Sequence, residues 1–206
     1  MQESTGTRAE LDALLRRYNE FPPSRAEVLA AIERQFTRHR AILVLDSSGF
    51  SRTTRAMGIV HFLALLERLE RTVRPLVEAS DGRILKTEAD NVYAVFVESA
   101  HAVRAAVRIQ EALRAANEML PSDEEIDAAI GIGFGPVLVV GTDDVFGDEM
   151  NLACKLGEDL AQRAEILMTS SAREALDEVD LPLDRLDFSI SGISFPAFRL
   201  RWQETP

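Results

Sequence analysis

The sequence predicts an α+β fold with a ferredoxin-like βαββαβ core, its antiparallel sheet extended by C-terminal strands and helices. Three observations predict it. The apolar run Ala41-Ile-Leu-Val-Leu45 reads as a buried strand. The runs Arg83-Ile-Leu-Lys-Thr87 and Val92-Tyr-Ala-Val-Phe-Val97 read as strands joined by a tight hairpin at Glu88-Ala-Asp-Asn91. Two helical stripes follow the first and third of these strands, as the βαββαβ order requires.

Residues 8 to about 18 and 26 to about 38 read as two charged, amphipathic helices split by Phe21-Pro-Pro23, with Ser24 and Glu27 as a capping box for the second. They form an arm over residues 1–40, either a packing element or a dimerising, signal-transmitting lead-in, and the body covers 41–206. The helix of about 57–79 sets Ile59, Phe62, Leu63, Leu66, Leu69, Val73, Leu76 and Val77 on one face. The helix of about 99–117 does so with Val103, Ala106, Val107, Gln110 and Leu113. Residues 126–132 and 137–141 read as strands around Gly133-Phe-Gly-Pro136. A helix over 148–162, a strand over 166–169, a helix over 171–178 and strands near 185–190 and 196–202 complete the chain.

Composition narrows the function. The 206 residues are 46% hydrophobic, enough for one core, and carry a formal charge of −11. Such a balance argues against nucleic acid or an anionic membrane as a partner, because there is no cationic excess to neutralise phosphates in bulk. A small phosphorylated ligand needs only a local pocket. Cys154 is the single cysteine, and His39, His61 and His101 are widely spaced, so oxygen atoms are the expected metal ligands. No apolar run approaches a membrane span, and a cytoplasmic location is expected.

Asp46 ends the first strand above the small turn Ser47-Ser-Gly-Phe-Ser51, and Asp90 sits in the hairpin. Two carboxylates at strand ends beside a nest of backbone N–H groups suggest a divalent metal and a nucleotide. Gly131, Gly133 and Gly135 do not form a dinucleotide fingerprint, since Pro136 and a strand follow where a helix would be required.

Three stretches then stand in register: Leu45-Asp-Ser-Ser-Gly-Phe-Ser51, Lys86-Thr-Glu-Ala-Asp90 and Asp144-Val-Phe-Gly-Asp-Glu-Met-Asn-Leu-Ala-Cys-Lys155. With Ile130-Gly-Ile-Gly-Phe-Gly-Pro-Val137 and Ile166-Leu-Met-Thr-Ser170, they resemble the class III nucleotidyl cyclase catalytic domain over residues 41–202. The resemblance implies that Asp46, Asp90 and the Ser47 carbonyl bind two Mg²⁺ or Mn²⁺ ions, and that the Gly49, Phe50 and Ser51 amides touch phosphate. It implies that Lys86 and Asp144 read adenine, that Asn151 orients the ribose, and that Lys155 meets the α-phosphate. ATP would be converted to cyclic AMP and pyrophosphate by a head-to-tail homodimer.

Three departures accompany the resemblance. Lys155 stands where an Arg is usual and lacks its bidentate fork. Ser191-Gly192 replaces a usual Lys-Gly, and Glu88-Ala89 replaces an apolar residue and Gly. They motivate an alternative, a catalytically degenerate regulatory module that binds nucleotide or a divalent ion, Ca²⁺ included.

Overall fold

The structure, a computed structural model, describes residues 6–48, 58–122, 124–142, 144–176, 181–190 and 193–204. Helices α1 (Arg8–Glu20) and α2 (Arg25–Phe36) precede strand β1 (Thr37–Ser48), which follows α2 without a loop. Then come α3 (Ile59–Glu78), β2 (Gly82–Glu88), β3 (Asn91–Phe96), α4 (Ser99–Asn117) and β4 (Asp127–Val140). A short β5 (Asp144–Phe146), α5 (Asp148–Cys154) and a π-helical segment (Lys155–Leu160) lead to β6 (Ile166–Thr169), α6 (Ser170–Glu174), β7 (Leu183–Ile190) and β8 (Ile193–Leu200). The sheet runs β2-β3-β1-β4-β6-β8-β7, with β5 paired to β4. Its first four strands have the order expected of the ferredoxin-like core, and only the β4–β6 pairing is parallel.

Alternation along β1 sorts the two faces. Ala41, Leu43 and Leu45 join Ile130 and Ile132 of β4 in a core covered by α3 and α4. Ile42 and Val44 point the other way, with Tyr93, Val95 and Val137, toward Ala153 of α5. In α3 the fully packed row is Leu65, Leu69, Val73 and Val77, a strict i, i+4 line. Each such side chain contributes about 1.5–3 kcal/mol by burial. Ile59 and Leu63, predicted on that face, are 59% and 55% exposed.

The predicted cap at Ser24 does not form. Ser24 closes a 3₁₀ turn with φ −93° and ψ 2°, not the extended conformation an N-cap needs, and its hydroxyl donates to the Phe21 carbonyl at 2.9 Å. The capping box lies instead at Thr7 and Glu10 of α1. Leu11, Val28, Ile32 and Phe36 then pack the arm against Val140 of β4.

The two strands expected around Gly133-Phe-Gly-Pro136 are one continuous β4. Strand β6 pairs with β4 only at 130–132 and β5 only at 138–140, so the intervening stretch has one open edge. Pro136 is tolerated there because its missing N–H is needed by no neighbour. The Phe134 N–H on the same edge donates to the Glu149 carboxylate at 3.0 Å, which also accepts from Thr169 Oγ1 at 2.9 Å.

The glycines serve a different purpose. A Cβ on Gly133 would lie 2.5 Å from the Glu149 carbonyl oxygen, and one on Gly131 would lie 2.2 Å from that of Ala153. From the opposite element, a Cβ on Gly157 would meet the Val44 carbonyl oxygen at 2.7 Å. Small residues on both sides therefore let α5 and the π segment lie backbone to backbone on β4 and β1. No helix of the described residues is long and apolar enough to cross a membrane.

Candidate active site

Asp46 belongs to the β1 row of Ile42 and Val44 and therefore faces the α5 side, in register with Asn91 of β3 and Ala129 of β4. The adjacent Ser47 is buried and ties the hairpin to the end of β1. Its N–H donates to the Asp90 carbonyl at 3.2 Å and its hydroxyl donates to the same oxygen at 3.0 Å. The hairpin is tight because Ala89 adopts φ 52°, the left-handed region usually left to glycine. Asp46 and Asp90 are thereby brought into electrostatic contact. Burial, then the negative charges of Asp90 and Glu158, push the Asp46 carboxyl up to about 6.

The second group of residues gathers along β2, β5 and α5. Lys86 Nζ donates to Glu88 Oε2 at 2.7 Å and lies 4.9 Å from the centroid of the Tyr93 ring. That bond to Glu88 raises its pKa, and the charge of Asp144 adds to the effect, so the two residues predicted to read a base share one neighbourhood. Asp144 accepts from Arg8 Nη1 at 3.3 Å. Asn151 is exposed on α5, and the Lys155 N–H donates to its carbonyl, which sets Lys155 one turn further on. Lys155 Nζ donates to Asp159 Oδ2 at 2.7 Å, and this pair raises the lysine pKa. The predicted phosphate contacts Gly49, Phe50 and Ser51, and the departure at Ser191-Gly192, lie outside the described residues.

Three further residues join the two groups. Tyr93 donates its hydroxyl to Glu158 Oε1 at 3.0 Å, and Asn91 Nδ2 donates to the same hydroxyl at 3.4 Å. Burial is the main cause that lifts the Tyr93 phenol to about 12 and the Cys154 thiol to about 11, and the Glu158 charge adds to both. The π segment, closed by the Ala161 N–H to the Leu156 carbonyl at 2.7 Å, aims Glu158 across the sheet at Tyr93.

Among the described residues no group of three or more His, Cys, Asp and Glu side chains is arranged to hold a metal ion. What β1 and the hairpin supply is a pair of carboxylates, one desolvated and repelled by like charge. Such a pair favours a cation. It also suits Mg²⁺, which usually takes one or two carboxylates and completes its shell with water and substrate phosphate.

Residues 32–192 match the family model described as the adenylate and guanylate cyclase catalytic domain. A Rhizobium meliloti (strain 1021) protein provisionally named an adenylate cyclase is 32% identical over 137 residues, 66% of this chain and 23% of its own length. An adenylate cyclase of Streptomyces coelicolor (strain ATCC BAA-471 / A3(2) / M145) is 32% identical over 150 residues, 73% of this chain and 38% of its own. The chain thus spans less than two fifths of these curated relatives. The crystal structure of an adenylate/guanylate cyclase/hydrolase from Silicibacter pomeroyi superposes with a TM-score of 0.68 at 27% identity, over 80% of this chain and 96% of that one. With the fold, the strand-end carboxylates and the family match in agreement, the chain belongs to the adenylate and guanylate cyclase catalytic domain family.

Proposed function

We propose that the chain is an adenylate cyclase, converting ATP to cyclic AMP and pyrophosphate in the cytoplasm, where ATP and Mg²⁺ are available. The observation that carries this reading is the Ser47–Asp90 tie, which sets Asp90 beside Asp46 at the end of β1. Asp46 and Asp90, with the Ser47 carbonyl, would hold two Mg²⁺ or Mn²⁺ ions. Bound there, such ions make the ribose 3′-hydroxyl easier to deprotonate and offset the charge of the departing pyrophosphate.

The remaining residues bind and orient. Lys86 donates to adenine N1 and Asp144 accepts from the exocyclic amine, a complementary donor and acceptor for that base edge. Asn151 fixes the ribose, and Lys155 offers its ammonium to the α-phosphate. The amides of Gly49, Phe50 and Ser51 touch phosphate. The family resemblance assigns these two sets to opposite copies of a head-to-tail homodimer, with Asp46 and Asp90 of one copy facing Lys86, Asp144, Asn151 and Lys155 of the other. A two-fold dimer then holds two equivalent sites.

One observation favours the second reading, a nucleotide- or Ca²⁺-binding regulatory module without turnover. Lys155 is engaged by Asp159 at 2.7 Å, and a lone ammonium lacks the fork of an arginine. The deciding experiment measures cyclic AMP formed by concentrated protein with ATP and Mg²⁺ or Mn²⁺, beside Asp46→Ala. Product from the parent alone, falling per subunit on dilution, supports the cyclase. Nucleotide binding without product from either protein leaves the module.

A further inference from the structure

The arm reaches the base-reading side of the site through Arg8. The Thr7–Glu10 capping box fixes the first turn of α1 and hence where Arg8 projects. Its Nε donates to Asp12 Oδ1 at 3.2 Å while Nη1 donates to Asp144 Oδ2 at 3.3 Å. The guanidinium also lies 5.8 Å from the centroid of the Phe146 ring, two residues beyond Asp144. Just before Arg8, the Gly6 carbonyl accepts from the Gly141 N–H at 2.9 Å, pinning the turn that leads into β5. The arm is itself anchored by the Leu11, Val28, Ile32, Phe36 and Val140 cluster. Asp144 is therefore approached from 136 residues away by a cation held on several sides.

We infer that Arg8 is a positioning residue for adenine recognition, engaging Asp144 Oδ2 so that Oδ1 is offered to the exocyclic amine. This rests on the reading of Asp144 given above. A half-exposed carboxylate on a short strand can turn about its terminal torsion, and ordering it on binding has an entropic cost that a partner already in place reduces in advance. The arm is then part of the nucleotide site and not merely a packing element.

The test is equilibrium binding of 3′-deoxy-ATP and 3′-deoxy-ITP to the full chain with Mn²⁺. Neither nucleotide has the attacking hydroxyl, and the second carries a carbonyl oxygen in place of the amine. Arg8→Ala is expected to weaken 3′-deoxy-ATP by roughly two- to fivefold, the range of an exposed ion pair, and to leave 3′-deoxy-ITP unchanged. Arg8→Lys recovers part of the loss. Leu11→Ala, which loosens the arm that carries Arg8, is expected to lower discrimination in the same direction, and far-UV circular dichroism of each variant serves as the control for folding. Equal losses for both nucleotides with Arg8→Ala overturn the inference, as does tighter 3′-deoxy-ATP binding, the sign of an inhibitory contact. Asp144→Ala separates the two levels. If it fails to reduce discrimination between the nucleotides, the base-reading assignment falls and the inference with it; if it does reduce discrimination and Arg8→Ala does not, the inference alone falls.

Discussion

Replacing Asp46 by Asn removes a charge while keeping the shape of the side chain, and it should stabilise the free protein even as it abolishes activity. The Asp46 carboxyl is raised from 3.8 to about 6 by burial and by Asp90 and Glu158. A folded-state pKa above the unfolded value means that the native state binds the proton more tightly, so this group's contribution to stability falls as pH rises from about 4 to about 6 and stays low above that. Two pKa units correspond to about 3 kcal/mol, but Asp46 is only partly buried, and solvent screening reduces this to about 1 kcal/mol. For a chain of this size that is a rise in Tm of about 2–4 °C. Thermal unfolding of parent and Asp46→Asn proteins, without divalent ions, should show this gap at about pH 7.5 and only a fraction of it at about pH 4. The other carboxylates titrate in both proteins and cancel in the comparison. Adding Mg²⁺ or Mn²⁺ at the higher pH should stabilise the parent selectively and close the gap. An Asn variant less stable than the parent by the same amount at both pH values would make Asp46 a structural residue and refute the reasoning.

Gly133→Ala forces a methyl group onto the Glu149 carbonyl, 2.5 Å away, and should lower stability by about 1–3 kcal/mol by overpacking, measured by urea denaturation. Because Glu149 and Asn151 share α5, cyclic AMP formation should fall even at temperatures where the variant is fully folded. Ala89→Gly relieves the left-handed strain at φ 52° and should raise stability by about 0.5–1 kcal/mol in the same assay. Lys155→Arg restores a bidentate donor and should raise kcat by roughly three- to tenfold with little change in KM. An unchanged kcat would mean that position 155 does not meet the reacting phosphate.

Much of the core was legible because its signals are local. Strand-like runs around a tight hairpin identified β2 and β3, the 3.6-residue stripe identified α3 and α4, and the order of elements followed from them. Asp46 and Asp90 were legible for the same reason, each marked by the end of an apolar run or by a hairpin. Ser24 misled because its sequence context satisfies a capping box while the prolines before it impose a 3₁₀ turn. Leu65 was missed, and Ile59 and Leu63 overvalued, because hydrophobicity alone does not say how far a helix extends past the sheet it covers.

The glycine row shows why the rest was hidden. Gly133 and Gly135, with Pro136 after them, look like a turn because turns are the commonest local use of clustered glycine and proline. Their use here is set by residues 149–157, which fold back onto β4 after the β5 connection. The same contact places Glu158 and Lys155. With α5 resting on the β4 backbone and Gly157 on Val44, the π segment carries Glu158 to Tyr93 and within electrostatic reach of Asp46, and starts at Lys155. Asn151 and Lys155 are thus held on the element that packs over β4 and β1, the strand that carries Asp46. The close approach of α5 to β4 and the placement of Asn151, Lys155 and Glu158 are therefore linked, and a methyl group added at Gly133 must alter both.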